Sequence, residues 1–458
     1  MRVIGMDIHR VFAEVVALSD GKVTRLGRVD MRRDRLEAFA RSTLTRDDHV
    51  VVEATGNAAA VVEVLGPHVG RVVVANPKQV RLIADAKVKT DRIDATVLAQ
   101  LYASGFLPEV WIPDERTAAM RRQVTRRTQL VRQRTRLKNT VQSILHAHLI
   151  PPCPHQDLFG RAGREWLAGQ WLPEDERGAV ERHIRELDRL GEELRGVERD
   201  IAQRALDDAV VRRLMTVPGI DMVVATGLAA AIGDVDRFAA PEQLVAYLGL
   251  NPSVRQSGEG PAHHGRISKQ GRGQARGMLV EAAWSAARSP GPLRALFLRI
   301  AARRGQHIAA VATARKIAVV VWHMLKRGED YTWARPALHA RKLRSLELKA
   351  GRPPRRGQPG SAQAYNLPAT REAERRRAAG GEAAYRRLTD GWRRRGRSGC
   401  AWAPQRRNDH RLQAARRGLP LRAPLFATRS PMRSGKIASN AEKGCSTSSV
   451  VSGSPTKA

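Results

Sequence analysis

The first 105 residues order their apolar runs in a way that few folds can satisfy. Three β-branched runs, Val3 to His9, Phe12 to Leu18 and Lys22 to Val29, are separated by turn-sized breaks, the last of them Ser19-Asp20-Gly21. Such runs pair as an antiparallel meander. A helical pattern at Arg33 to Ser42 follows, then a strand pattern at Val50 to Glu53, a helix from Asn57 to Leu65, a strand at Val72 to Ala75, and helices after Pro77 and Asp91. Hairpin-linked strands followed by strands alternating with helices predict a mixed α/β sheet.

That order is the one of a ribonuclease-H-like domain, and four acids fall at its strand ends and on one helix face. Asp7 ends the run Val3-Ile4-Gly5-Met6-Asp7, and Glu53 ends Val50-Val51-Val52-Glu53. Asp91 and Asp94, within Lys89-Thr90-Asp91-Arg92-Ile93-Asp94-Ala95, are three apart and share one helix face. Hard oxygen ligands of this kind suit Mg2+, with Mn2+ as an alternative, and two ions can serve both the attacking and the leaving oxygen of a phosphoryl transfer. Singly, Asp91 or Asp94 reads as a helix cap and Glu53 as an ordinary strand-end charge. Their ordered combination points to a metal-dependent nucleic-acid enzyme.

Charge agrees with that reading. The chain has 458 residues, with 80 Lys and Arg against 45 Asp and Glu, a formal charge of +35. Residues 351 to 458 hold 24 of the basic and 6 of the acidic residues, so the body is basic without its tail. Such a balance attracts a polyanion. The length predicts two or three domains. Cys153, Cys400 and Cys445 form no CxxC pair, which argues against a disulfide framework or a cysteine zinc site and fits a reducing cytosol. His146, His148, Cys153 and His155 fit no zinc-module spacing. With no leader-like N-terminus and no uninterrupted apolar window of spanning length, the expectation is a soluble protein with no membrane partner.

From Glu115 to Leu149 the pattern becomes a long basic helix with Arg121, Arg122, Arg126, Arg127, Arg132, Arg134, Arg136 and Lys138. After Pro151-Pro152-Cys153-Pro154, a second helix spaces Ile184, Leu187, Leu190, Leu194, Val197 and Ile201 by threes and fours, so the two can pair as a coiled coil. The basic face reads either as a solvated face or as a nucleic-acid contact. Leu214 to Leu325 reads as a helical domain opened by Thr216-Val217-Pro218-Gly219-Ile220. That opening is either a helix-hairpin-helix turn or a plain capping turn, because Asp221 stands where a second Gly is usual. A polar interruption, Asn251 to Gly260, leads into His263-His264-Gly265-Arg266-Ile267-Ser268-Lys269-Gln270-Gly271. Arg266, Lys269, Arg272 and Arg276 are placed to hold phosphates. On spacing alone Ser257 is a loop serine, since a hydroxyl is a weak nucleophile until something activates it.

The resulting organisation is an α/β plus all-α chain. Residues 1–110 form the mixed-sheet domain, 111–210 the basic helical hairpin, 211–335 the second helical domain and 336–394 a basic helical extension. Residues 395–458 lack periodicity and read as a disordered or read-through tail.

Taken together, these motifs resemble the DEDD-type insertion-sequence transposases, RuvC-like recombinases that in some members are guided by a bridge RNA. The resemblance runs over about Arg2 to Trp392. It rests on Gly5-Met6-Asp7, Val52-Glu53-Ala54-Thr55-Gly56, Asn76-Pro77, Lys89 to Ala95, Val217-Pro218-Gly219-Ile220, Tyr247-Leu248-Gly249-Leu250-Asn251-Pro252, Gln256-Ser257-Gly258 and Gly265 to Gly271. It implies that Asp7, Glu53, Asp91 and Asp94 are a metal-binding acidic tetrad. It also implies that Ser257 is the nucleophile of a C-terminal transposase domain, cleaving DNA through a transient phosphoserine link. Ser268 becomes a phosphate or structural contact. The implied partners are donor and target double-stranded DNA, a structured guide RNA, and further copies of the chain as a dimer or tetramer in the cytoplasm at the nucleoid. A RuvC-like nuclease or junction resolvase using the tetrad and water is the alternative, and a non-catalytic nucleic-acid-binding descendant a third reading.

Overall fold

Asp20 and Gly21 both adopt positive φ, 49° and 76°, and so close a two-residue hairpin between β2 (Phe12–Ser19) and β3 (Lys22–Asp30). In the computed structural model, which describes residues 1–83, 90–258, 260–353 and 367–397, β2 also pairs antiparallel with β1 (Arg2–Ile8). β1 then pairs in parallel with β4 (Asp48–Glu53), and β4 with β5 (Arg71–Ala75), giving the order β3-β2-β1-β4-β5. The mixed sheet expected from the apolar runs is therefore present, with its parallel half made by strands that alternate with helices. Residues 84–89, including Lys89, and Glu259 lie outside the described residues, as does the tail beyond Arg397.

The period-2 burial of the strands assigns the two sheet faces. Ile4, Met6, Ile8, Val50 and Val52 pack against α1 (Arg33–Thr43) and α2 (Ala58–Leu65) through Leu36, Ala40, Val61 and Leu65. Val3, Val51, Val73 and Ala75 face the other way, onto Leu98 and Ala99 of α4 (Asp91–Ala103); α3 (Pro77–Ile83) adds Val80 to that layer. The sheet thus lies between two helical layers, and the acids end its central strands.

Asp114 starts the 33-residue α5 (Glu115–Ala147) by accepting from the Thr117 amide at 2.8 Å. α5 packs along α7 (Glu174–Ala205), where Leu130 meets Leu190 and Leu194 and Arg127 donates to Glu198 at 2.7 and 2.9 Å. The far end closes around α6 (Arg161–Ala168), with Val141, Leu145, Leu167 and Val180 in one cluster.

A second core follows, built by α8 (Ala209–Leu214), α9 (Met222–Ile232), α10 (Pro241–Tyr247), α11 (Gly273–Arg288), α12 (Pro292–Arg304) and α13 (Gln306–Arg327), with Leu214, Ile220, Leu228, Leu244, Leu279 and Ile317 at its centre. At its opening turn the Asp221 carboxylate accepts from the Val224 amide at 2.9 Å, so this residue caps α9. α13 is long and apolar enough to cross a membrane by length and composition, which the sequence reading did not anticipate; its buried side chains Thr313, Ala314, Ile317, Ala318 and Val321 pack in the helical core.

The polar interruption holds two strands, β6 (Pro252–Arg255) and β7 (His263–Ile267), paired antiparallel. They were not legible as strands because both faces are exposed and no apolar alternation marks them. After α14 (Pro336–Lys349), α15 (Pro368–Arg397) docks through two carboxylates that are each only 8% exposed. Glu382 accepts from the Gly291 amide at 2.8 Å at the start of α12, and Glu374 from the Ala337 amide at 2.5 Å at the start of α14. Each fills an orphan helix-start donor from outside the helix.

Candidate active site

A close approach of α4 to β1 brings Asp91 and Asp94 toward Asp7. Parallel register sets Met6 beside Val52, so Asp7 and Glu53 end adjacent strands, and alternation turns both toward the α4 face. α4 begins there because Thr90 caps it, its hydroxyl accepting from the Ile93 amide at 3.3 Å. Asp91 and Asp94 occupy its first turn. The helix sits this low because residue 5 is glycine. A β-carbon there would come within 3.2 Å of the Ala99 side chain and still nearer the Ala95 backbone, the residue that follows Asp94.

His9, which sequence reasoning missed, completes the group. Its Nε2 lies 3.2 Å from Asp7 Oδ2 and 3.3 Å from Asp91 Oδ1, and one ligand atom from each of the three residues falls within 4.8 Å of the others. The ring is steadied by Phe12, 4.8 Å away between centroids, and by a backbone bond from the His9 amide to the Phe12 carbonyl at 2.9 Å. Its signal was the continued alternation Gly5, Asp7, His9, which is too weak to single out a lone histidine. Burial raises the Asp7 carboxyl above its ordinary value; His9 opposes the shift, and Asp94 and Asp91 add to it. Asp94 is therefore electrostatically part of the group. Crowded carboxylates with an imidazole suit a divalent cation, which would relieve their mutual repulsion.

Arg28 connects this cluster to the sheet edge. Its guanidinium lies 3.1 Å from Glu14 and 3.8 Å from Asp91, and stacks over Phe12 at 4.5 Å. Glu14 is 2% exposed, and Arg25, at 2.5 Å, with Arg28 holds its carboxyl below the usual range against burial. These residues, with Thr90 and Arg92, line a groove of about 240 Å³ beside Asp91.

The basic helix divides into committed and free arginines. Arg121 donates to the Ala230 and Ala231 carbonyls at 2.7 and 3.0 Å, Arg122 to Glu115 at 2.6 Å, and Arg127 to Glu198; Arg126 lies 3.6 Å from Glu193. Lys138 sits over Phe159 at 4.6 Å, and Arg134 faces Asp188. Arg132 and Arg136 are exposed without an ion pair among the described residues.

Ser257 stands in the exposed loop between β6 and β7, and its hydroxyl has no hydrogen-bonding partner among the described residues. Among the described residues no hydrogen bond joins it to Asp7 or Asp91. Arg266, Lys269 and Arg272 are exposed along the same hairpin and its exit, whereas Arg276 donates to the Leu248 carbonyl at 3.1 Å.

Acids at the ends of two adjacent parallel strands, near the first turn of one helix, in a mixed sheet of order β3-β2-β1-β4-β5, are consistent with the ribonuclease-H-like class of acidic α/β domains. Residues 4–150 match the DEDD transposase model of IS110-type elements, and residues 211–298 match the transposase IS116/IS110/IS902 family. Together the two matches cover just over half of the chain, which belongs to the IS110-type DEDD transposase family. A Sinorhizobium fredii protein named as a transposase, y4qE, is 34% identical over 43% of this chain and 48% of its own length. A Pseudomonas aeruginosa protein named as a family 20 transposase is 29% identical over 55% and 78%. The transposase for insertion sequence element IS1111A of Coxiella burnetii is 27% identical over 53% and 68%. The chain spans about half the length of the first of these relatives.

Proposed function

We propose that the protein is a DNA transposase that mobilises an insertion sequence by cleaving and rejoining strands of donor and target double-stranded DNA in the cytoplasm, at the nucleoid. The observation that carries this is the gathering of Asp7, His9 and Asp91, with Asp94 acting on the Asp7 carboxyl and Glu53 ending the adjacent strand, in a chain of net charge +35. Asp7, Glu53, Asp91 and Asp94 would hold Mg2+, which supplies charge stabilisation at a scissile phosphate. Ser257 Oγ attacks phosphorus, forming a serine–phosphate bond as the bridging bond to the leaving strand breaks. The hydroxyl proton passes to solvent, and the leaving strand end takes up a proton. A second strand end then reverses the step and frees the serine. Arg132, Arg136, Arg266, Lys269 and Arg272 hold backbone phosphates, and a structured guide RNA is the further partner that the basic hairpin suits. Because no hydrogen bond joins Ser257 to Asp7 or Asp91 among the described residues, the assembly in this reading is a homo-oligomer that closes them on DNA.

The unpartnered Ser257 hydroxyl among the described residues favours a second reading, a nuclease in which the four acids activate water. Denaturing gels of a cleavage reaction with labelled DNA test both. In the first reading, Ser257→Ala abolishes the covalent protein–DNA adduct and strand transfer, and Asp7→Asn abolishes cleavage. Cleavage persisting undiminished in Ser257→Ala would leave the nuclease reading.

A further inference from the structure

Three guanidinium groups converge on one phenol at the root of the serine hairpin. The Tyr247 hydroxyl accepts from Arg272 Nε at 2.8 Å and from an Arg121 terminal nitrogen at 3.4 Å. Arg237 lies over the Tyr247 ring, 4.3 Å from its centroid, and also over Phe238 at 4.1 Å and Trp111 at 4.3 Å. None of the three arginines has an ion pair with a carboxylate among the described residues. The nearest acid in electrostatic terms is Asp234 beside Arg237, and its carboxylate accepts from the Asp236 amide.

Three like charges gathered without a counter-ion repel one another. Burial and the neighbouring arginines hold both Arg121 and Arg237 below their ordinary value, with only Tyr247 and, for Arg237, Asp234 opposing. At Tyr247 burial pushes the hydroxyl up, but Arg272, Arg237 and Arg121 outweigh it. The three are kept together by contacts that do not neutralise them. Arg121 and Arg237 donate to the Ala230, Ala231 and Ile232 carbonyls at the end of α9, and the aromatic rings of Trp111, Phe238 and Tyr247 fix the planes. Such a cage is ready for an oxyanion.

Its position gives the anion a source. The Tyr247 carbonyl accepts from the Arg272 amide at 3.0 Å, and the Asn251 carbonyl from the Ser268 amide at 2.8 Å, so Tyr247 and Arg272 close the base of the β6–β7 hairpin that carries Ser257. Gly271, at φ 112°, permits that closure: a β-carbon there would lie 2.1 Å from the Tyr247 carbonyl oxygen.

We propose that Arg121, Arg237, Arg272 and the Tyr247 hydroxyl form an anion site that takes a backbone phosphate of the DNA strand presented to the serine hairpin. The assignment rests on the transposase reading for the identity of the strand. Tyr247 acts here as a positioning residue, handing the guanidinium of Arg272 to the phosphate.

Fluorescence anisotropy with a labelled DNA duplex tests it, using full-length protein carrying Ser257→Ala so that cleavage plays no part. Arg272→Gln, an exposed change, is expected to weaken binding about tenfold and to reduce the slope of log affinity against log salt by about one. Arg237→Lys, which keeps the charge but loses the planar fork, should weaken binding less than Arg237→Gln. A second readout is the ultraviolet titration of tyrosinate, with Tyr247→Phe assigning its signal among the five tyrosines. Bound DNA should raise the onset for Tyr247, because the phosphate offsets the arginines. Unchanged affinity and salt slope in Arg272→Gln would overturn the site, as would a loss confined to an RNA of the same sequence. A covalent adduct that persists in Ser257→Ala would overturn the serine reading while leaving these binding results standing.

Discussion

A β-carbon placed on Gly5 would lie 2.0 Å from the carbonyl oxygen of Ala95. The contact is with backbone, so no rotamer change relieves it, and α4 must lift from β1. Gly5→Ala is therefore expected to cost about 1–3 kcal/mol in chemical denaturation, the range of overpacked sites. It should also weaken Mg2+ binding by calorimetry, because Asp91 and Asp94 ride on the same helix.

Asp7 carries a pH signature of its own. Its folded carboxyl titrates above the unfolded value, so between the two values the folded state binds more protons than the unfolded one. This contribution to stability is lost as pH rises through that window. Thermal melts in chelator should accordingly show Asp7→Asn at least as stable as the parent at neutral pH. Adding Mg2+ should raise the melting temperature of the parent and leave the variant unmoved.

Lys342 behaves in the opposite sense in the alkaline range. Burial pushes its ammonium down to about 8, while its Nζ donates to the Met215 and Val217 carbonyls at 2.8 and 2.7 Å. Above that value the unfolded chain keeps a proton that the folded one has released, so stability rises with pH until the unfolded lysine titrates near 10.5. Denaturant midpoints measured across this interval should climb in the parent, and the rise should flatten in Lys342→Met.

Glu382 is tested by removing its acceptor. It receives the Gly291 amide and lies 3.8 Å from Arg294 and 3.3 Å from Arg386. Glu382→Ala leaves a buried donor unmet and should cost about 1–2 kcal/mol. Hydrogen exchange should locate the loss at the start of α12.

The N-terminal sheet was readable because its central strands β1, β2 and β4 are apolar runs with buried residues, a pattern that local sequence carries. The positions of Asp7, Glu53, Asp91 and Asp94 were readable for a related reason: two stand at strand ends and two in the first turn of a helix. His9 and Arg28 gain their meaning from neighbours that folding supplies, Asp91 on a helix more than 80 residues away for the first and buried Glu14 for the second. The basic helix shows the limit of counting charges, since Arg121 and Arg127 are engaged inside the chain while Arg132 and Arg136 have no ion pair among the described residues. The β6–β7 hairpin hid because nothing about a strand exposed on both faces is periodic.

Glu374 and Glu382 stand eight residues apart on α15, about 12 Å along its axis. One serves the start of α14 and the other the start of α12, so the helix works as a ruler between them. Inserting a single residue between the two glutamates would turn one of them by about 100° relative to its mate. The two helix starts could no longer be served together, and the spacing of α12 and α14 would lose its gauge.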